Sequence, residues 1–192
     1  MNEDEIIQKL KNGDEKAFRE LVDKYHQAVV NTCFGLIHNT EDAEDIAQDV
    51  FIEVFRSTAK FRGDSKISTW LYRIAVNRSL NFIRDNKRRK WFHSFEDKQD
   101  IYNAKSLEIS NTEDNPATVI ENRQRAELLH TAIDKLPVNQ KIAFTLNKYE
   151  DLSYKKIAEI MEMSVSGIES LIHRAKKNLQ KKLYKCYKNN CI

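Results

Sequence analysis

The chain has 192 residues, 32% of them charged, with only four Gly and two Pro. So few breakers point to a helical protein, and the lack of any apolar run near ~18 residues argues against a membrane-spanning helix. The net charge of +3 conceals an alternation: residues 1–55 carry −8, 56–90 carry +9, 91–134 carry −5 and 135–192 carry +7, a layout that suggests two polyanion contacts and an acidic face turned elsewhere.

The opening stretch, MNEDEIIQKLKNG, is polar and lacks the apolar core of a signal peptide. Helices are predicted over 3–12 and 14–37. Asp14 is placed to cap the second, where Ala17, Phe18, Leu21, Tyr25, Val29, Cys33 and Phe34 recur at helical spacing. Thr40 is the expected cap of a third helix, EDAEDIAQDVFIEVFRS. Its expected buried stripe is Ala43, Ile46, Ala47, Val50, Val54 and Phe55, with Asp42, Asp45, Asp49 and Glu53 on the opposite side. The helix dipole accounts for acids in the first turn, Glu41, Asp42 and Glu44, but not for Asp49 or Glu53 further along.

The loop KFRGDSKIST follows, and Ser68 or Thr69 is expected to cap the next helix, TWLYRIAVNRSLNFIRDNKRRK. That helix interleaves Trp70, Tyr72 and Phe82 with Arg73, Asn77, Arg78, Asn81 and Arg84, a mixture suited to stacking and holding single-stranded nucleic acid. Trp70 reads as core, while Tyr72 and Arg73 read as exposed. The 62–69 loop suits a small polar pocket for a base taken out of its stack. The basic run Lys87–Lys90 suits a helix C-terminus.

Periodicity fails from about Ser94 to Ala117, where the chain is polar, acidic and interrupted by Pro116. Such a stretch is too long for an ordinary loop inside one compact domain, so it reads as a flexible linker. The expected organisation is a first domain over 1–92, a linker over 93–117 and a second domain over 118–192. Helices are predicted at 118–135, 139–149, 153–162 and 165–185, with a break at Leu136-Pro137 and a cap at Ser153. No internal repeat is present. The cysteines, Cys33, Cys186 and Cys191, are odd in number and lack ligand spacing, which reads as reduced thiols in the cytoplasm.

The last two helices have the pattern of a helix-turn-helix. Ala158 fits the close crossing, Ile157, Met161, Met163, Ile168 and Leu171 fit the apolar anchors, and Ser164 fits a cap. The outer face of the second helix carries Ser166, Glu169, Ser170, His173, Arg174 and Lys177. Residues near its N-terminus would meet base edges in the major groove, and Arg174, Lys177 and Lys181 further along suit phosphates. His173 is a lone histidine and no metal site.

Taken together, these segments resemble bacterial sigma factors of the extracytoplasmic-function group over nearly the whole chain. DEKAFRELVDKY resembles the start of sigma region 2, and EDAEDIAQDVFIEVF the helix that docks on the β′ clamp helices of RNA polymerase. FRGDSKISTWLYRIAVNRSLNFIR resembles the segment that melts and reads the −10 element. LPVNQKIAFTLNKYEDLSYKKIAEIMEMSVSGIESLIHRAKKNL is similar to region 4, which reads the −35 element and touches the β flap.

The resemblance implies an all-α protein of two small helical domains joined by a flexible linker, the second with a helix-turn-helix. It implies core RNA polymerase and promoter DNA, duplex at −35 and melted at −10, as partners. It assigns polymerase binding to Asp42, Asp45, Gln48, Asp49, Ile52 and Glu53. It assigns −10 contacts to Arg62, Ser65, Lys66, Ser68, Thr69, Tyr72, Arg73, Asn77, Asn81 and Arg84. Contacts to −35 fall to Ser166, Glu169, Ser170, His173, Arg174 and Lys177. The linker would thread along the polymerase between the two promoter elements. The family often has an anti-sigma factor, membrane-bound, so such a partner is expected too.

Catalytic residues, cofactor, metal and small-molecule substrate are not expected. The chain departs from the family pattern at Ile67, where Phe is common, at Lys141, where Arg is frequent, and at Lys156, where an acid is frequent. Glu169 and Leu171 stand at recognition-helix positions that are often basic. A conventional helix-turn-helix regulator with an N-terminal ligand or dimerisation domain is the alternative, and it leaves the acidic helix and the 62–69 loop without a role. A metal-dependent nuclease built on Glu41, Asp42 and Asp45 fails, because the dipole suffices to explain those acids and the five His are scattered.

Overall fold

The structure, a computed structural model, describes residues 3–58, 61, 63, 65–93 and 116–188. Regular structure among them is helical throughout: α1 (Glu3–Lys11), α2 (Glu15–Ile37), α3 (Thr40–Ser57), α4 (Ile67–His93), α5 (Pro116–Asp134), α6 (Val138–Lys148), α7 (Tyr154–Met161) and α8 (Val165–Lys188). The predicted linker lies almost wholly outside the described residues, as do Arg62, Cys191 and the side chain of Cys186.

The helix starts follow capping chemistry. The Asp14 carboxylate accepts from the amides of Lys16 at 2.8 Å and Ala17 at 3.3 Å, and the Ser153 hydroxyl accepts from that of Lys156 at 3.3 Å. Such caps contribute about 1 kcal/mol each. Three expectations need correction. The cap of α3 is Asn39, not Thr40: its Oδ1 accepts from Asp42 N at 2.9 Å with extended backbone, and Thr40 is already helical. Ser68 and Thr69 lie inside α4, whose first residue is Ile67, so neither caps it. The basic run 87–90 does not end α4 either, since the helix continues to His93.

Helices α1–α4 enclose a first core of Leu21, Val29, Cys33, Val50, Val54, Ile67 and Leu71. Trp70 packs at its edge against Phe61, ring centres 4.8 Å apart. On α3 the buried aromatic is Phe51, not Phe55, which is 46% exposed. Phe51 lies one turn beyond Ala47 on the inward stripe. Phe55 falls at the helix edge, where it meets Phe18 edge-on at 4.9 Å. A third core joins α5 and α8 through Ala132, Ile133, Leu136, Ala175 and Leu179.

The second core is shared between the two halves of the molecule. Leu36 of α2 and Tyr72 and Val76 of α4 pack into one cluster with Ile142 and Leu146 of α6, Ile157 and Ile160 of α7 and Ile168 and Ile172 of α8. The halves therefore meet along a seam. Gly35 of α2 lets the backbones approach: its carbonyl accepts from Thr145 Oγ1 at 3.1 Å, and a Cβ there would lie 2.5 Å from Thr145 Cγ2.

Candidate nucleic-acid interfaces

The acidic face of α3 is built as expected from helical spacing. Asp45, Gln48, Asp49 and Ile52 are exposed and Asp42 is half-buried, opposite a stripe of Ala43, Ile46, Ala47 and Val50. Burial raises the Asp42 carboxyl, and the neighbouring charges of Asp45 and Glu41 push it further the same way. Glu53 is not free on this face, because its Oε2 holds Arg78 Nε of α4 at 2.6 Å. Ile52 and Phe55, both 46% exposed, put an apolar spot within the acids. Phe55 was missing from the sequence-derived set because its helical position had placed it in the core stripe.

On α8 all six predicted residues, Ser166, Glu169, Ser170, His173, Arg174 and Lys177, are exposed, while Ile168, Ile172, Ala175 and Leu179 are buried behind them. The Ser164 hydroxyl accepts from Gly167 N at 3.1 Å and fixes the start of the helix. Ala158 is buried at the crossing of α7 and α8 as expected. Met163 is not an anchor: it sits in the turn at 38% exposure, and Ile172 takes the packing role. The turn begins at Glu162, which closes α7 in the left-handed region at φ 54°.

The predicted surface of α4 divides. Ser65 is half-buried and Lys66, Asn77, Asn81 and Arg84 are exposed. Ser68, Thr69, Tyr72 and Arg73 instead face the second half of the molecule. Thr69 is fully buried and Tyr72 only 8% exposed, so the expectation of exposed Tyr72 and Arg73 is overturned. The Tyr72 hydroxyl donates to Glu150 Oε2 at 2.9 Å, and burial followed by that carboxylate pushes the phenol pKa up. Arg73 donates through Nη2 to the Glu159 carbonyl at 2.7 Å and pairs through Nη1 with Glu162 Oε1 at 2.9 Å. Lys156 Nζ donates to Ser68 Oγ at 3.1 Å and to Thr69 Oγ1. Most of the cluster into which Tyr72 packs, from Ile142 to Ile172, lies 70 or more positions away in sequence, beyond the reach of any local periodicity.

Sequence reasoning also missed a polar cluster further along the seam. His38 ends α2 in the left-handed region, is buried, and stacks on His130 of α5 with ring centres 4.2 Å apart and planes 4° off parallel. His38 Nε2 approaches Asp134 Oδ1 at 3.4 Å, too poorly aligned for a hydrogen bond, and Lys141 Nζ donates to the same oxygen at 2.6 Å. Burial, and then His38, hold His130 down to about 4. Burial raises the Asp134 carboxyl, but the contacts of His38 and Lys141 outweigh it and hold the group at about 2. Two of the departures, Lys141 and Lys156, thus have partners at the seam. An open, almost wholly apolar groove of about 590 Å³, lined by residues including Leu129, Phe144, Leu183 and Tyr184, is a further feature no motif marked.

Among the described residues no cluster of three or more His, Cys, Asp or Glu has the geometry to hold a metal, and no helix is long and apolar enough to cross a membrane.

Comparison with known proteins gives a consistent set. Sigma-70 region 2 matches residues 21–89 and Sigma-70, region 4 matches residues 126–179. The RNA polymerase sigma-H factor of Pseudomonas aeruginosa is 33% identical over 186 residues, covering 93% of this chain and 92% of that protein. The ECF RNA polymerase sigma-E factor of Escherichia coli K12 is 32% identical over 178 residues, covering 93% and 92%. Among solved structures, CnrH in complex with the cytosolic domain of CnrY shares the fold at a TM-score of 0.67 and 19% identity, covering 95% of this chain and 97% of that one. The sigma factor RpoE in complex with the anti-sigma factor NepR, from Bartonella quintana, does so at 0.61 and 20%, covering 88% and 98%.

Proposed function

This chain belongs to the extracytoplasmic-function group of RNA polymerase sigma factors, and from that premise we propose how its surfaces divide the work of directing core polymerase to promoters. Sigma factors are not enzymes. The action of this one is binding, and no side chain here is assigned a catalytic step.

The exposed face of α8 reads the −35 duplex. Ser166, Glu169, Ser170 and His173 face base edges, while Arg174 and Lys177 hold phosphates. Glu169 suits the amino group of a cytosine. The observation that carries this reading is that all six side chains are exposed on one face of a helix whose opposite side buries Ile168, Ile172, Ala175 and Leu179. The surface of α4 and the loop before it, Arg62, Ser65, Lys66, Ser68, Thr69, Tyr72, Arg73, Asn77, Asn81 and Arg84, meets the opened −10 strand. The acidic face of α3, Asp42, Asp45, Gln48, Asp49, Ile52 and Glu53 with Phe55 added, docks on the β′ clamp helices, and the second domain touches the β flap. The working division is 1–92, 93–117 and 118–192, with the linker spanning the polymerase between the two promoter elements. We place the protein in the cytoplasm. An anti-sigma partner is part of the proposal, supported by the relative RpoE, whose structure holds the anti-sigma factor NepR.

The test is reconstituted transcription. Core polymerase alone should ignore a cognate promoter and should initiate there when the chain is added. Asp45→Lys with Asp49→Lys replaces two exposed acids, so folding should survive while affinity for core polymerase falls by one to two orders of magnitude. Native helicity with unchanged affinity would refute the α3 assignment.

A further inference from the structure

Exposed apolar side chains are ordinary when they occur singly. Met163 and Val165 instead stand two residues apart at the leading end of the helix assigned to the −35 duplex, 38% and 48% exposed. Neither belongs to any of the three cores. Val165 is the first residue of α8, where a β-branched side chain is a poor helix former, and the capping there is done by its neighbour Ser164. The inward stripe begins only at Ile168.

The turn holds this pair in a fixed place. The Met163 amide donates to the Ala158 carbonyl at 3.0 Å, and the Ser164 carbonyl accepts from Ile168 N at 3.1 Å. With the Ser164 hydroxyl already bonded to Gly167 N, the first turn of α8 is set from both the side chain and the backbone of one residue. Gly167 leaves space above that turn: a Cβ there would lie 3.5 Å from Met163 Cε, so the thioether methyl rests over the start of the helix. Four residues carry an α-helix about 40° past a full turn, which places Val165 one turn ahead of Glu169 and on its flank. No acid stands in the first turn of α8, so nothing in that turn repels phosphate as the tip enters a groove.

Ser166, Glu169, Ser170 and His173 offer hydrogen-bond donors and acceptors. Among the groups that distinguish bases in the major groove, one is apolar, the C5-methyl of thymine. We propose that Val165, with Met163 next to it in the turn, is a specificity residue that takes the C5-methyl group of a thymine in the −35 element, beside the base pair met by Glu169. This rests on the reading of α8 as the helix that enters the −35 groove. Thymine is then told from cytosine at that position by burial of one methyl group, not by a hydrogen bond.

The test uses holoenzyme and a −35 element selected from a library randomised there. Each thymine on either strand is replaced in turn by deoxyuridine, which removes the methyl group and leaves the hydrogen-bonding edge unchanged. At one position the wild type should bind the deoxyuridine duplex about fourfold more weakly, the worth of burying one methyl-sized group. Val165→Ala, which improves helix propensity at an exposed site, should bind thymine and deoxyuridine there equally. Val165→Ile should keep the discrimination. Val165→Ala should also leave the salt dependence unchanged, since no phosphate contact is lost. The inference is overturned by a selected element without thymine, by a wild type indifferent to deoxyuridine at every position, or by Val165→Ala that discriminates as well as the wild type.

The underlying reading has its own control on the same library. If Ser170→Ala or His173→Ala shifts the −35 preference while deoxyuridine has no effect anywhere, only the role of Val165 fails. If neither substitution shifts it and deoxyuridine has no effect, the base-edge reading of α8 falls as well.

Discussion

Helices α4 and α8 are similar in kind, 27 and 24 residues long, both rich in Arg or Lys and both assigned to DNA, yet their candidate surfaces have opposite fates. On α8 the apolar residues Ile168, Ile172, Ala175 and Leu179 form one stripe, so packing that stripe leaves the whole polar face in solvent. On α4 they form two. Leu71, Ile74 and Ala75 enter the first core, while Tyr72 and Val76, with Leu80 beside them, enter the second. A helix with two apolar stripes is packed from two sides, and of the predicted strand-binding residues on it only Asn77, Asn81 and Arg84 remain exposed. Exposure is therefore a property of what else the helix must bury, not of the polar residues themselves.

The largest effect expected from breaking this contrast is on stability. Leu146 is fully buried in the core that the halves share. Leu146→Ala should cost roughly 2–5 kcal/mol and should do so for the molecule as one unit. Urea unfolding, followed by Trp70 fluorescence in a Trp91→Phe background and by helicity, should give coincident transitions that shift together. A Trp70 transition left at its original midpoint would mean that α4 is not stabilised by the second half, and the contrast between the two faces would lose its cause.

A second prediction sharpens the open side. In the holoenzyme, tested on a library randomised at the −35 element, Ser170→Ala and His173→Ala should each relax the preference at one or two base pairs by roughly 1–3 kcal/mol. Lys177→Ala should instead weaken all −35 sequences alike and flatten the salt dependence by about one unit of slope. If neither Ser170→Ala nor His173→Ala changes the preference, the exposed face of α8 reads shape rather than base edges.

The smallest effect is on the closed side and depends on pH. Around His130 stand His38 of α2, Glu127 and Asp134 of α5 and Lys141 of α6, with the Tyr149 ring against Phe34 nearby. Burial first, and His38 second, hold His130 at about 4 in the closed seam. Once exposed by opening it regains the ordinary imidazole value of about 6.5. A depressed pKa favours the neutral form, so this contribution to closure is complete above about 6.5 and is lost as pH falls towards 4. At pH 5.5 the closed-to-open ratio should be lower by roughly tenfold. Asp134, held at about 2, stays ionised over that range and adds nothing to the change. Scattering and single-strand binding at pH 7.5 and 5.5 should show it, and His130→Phe should abolish it. A response of equal size in His130→Phe would place the titrating group elsewhere.

Much of the local structure was readable residue by residue, because it depends on interactions within a few positions. Asp14, Ser153 and Ser164 cap where their side-chain oxygens can reach amides two or three residues on. The errors also have physical causes. Asn39 outcompeted Thr40 because it has the extended backbone a cap requires. Phe55 was placed inward by spacing alone, although a shift of a few tens of degrees about the helix decides between core and rim.

What the sequence by itself determined is the set of helices, the caps at Asp14, Ser153 and Ser164, the alternating charge and the polar face of α8, since each is an interaction among neighbours or a single stripe on one helix. Only the tertiary structure decided that Tyr72, Arg73, Ser68 and Thr69 lie against α7, that His38 meets His130, and that Gly35 sits at the closest approach of the two halves. Those facts join residues between 78 and 110 positions apart in pairs such as Tyr72 with Glu150 and Gly35 with Thr145. Their partners are selected by the shared burial of two apolar surfaces, and neither surface carries a local mark of the other.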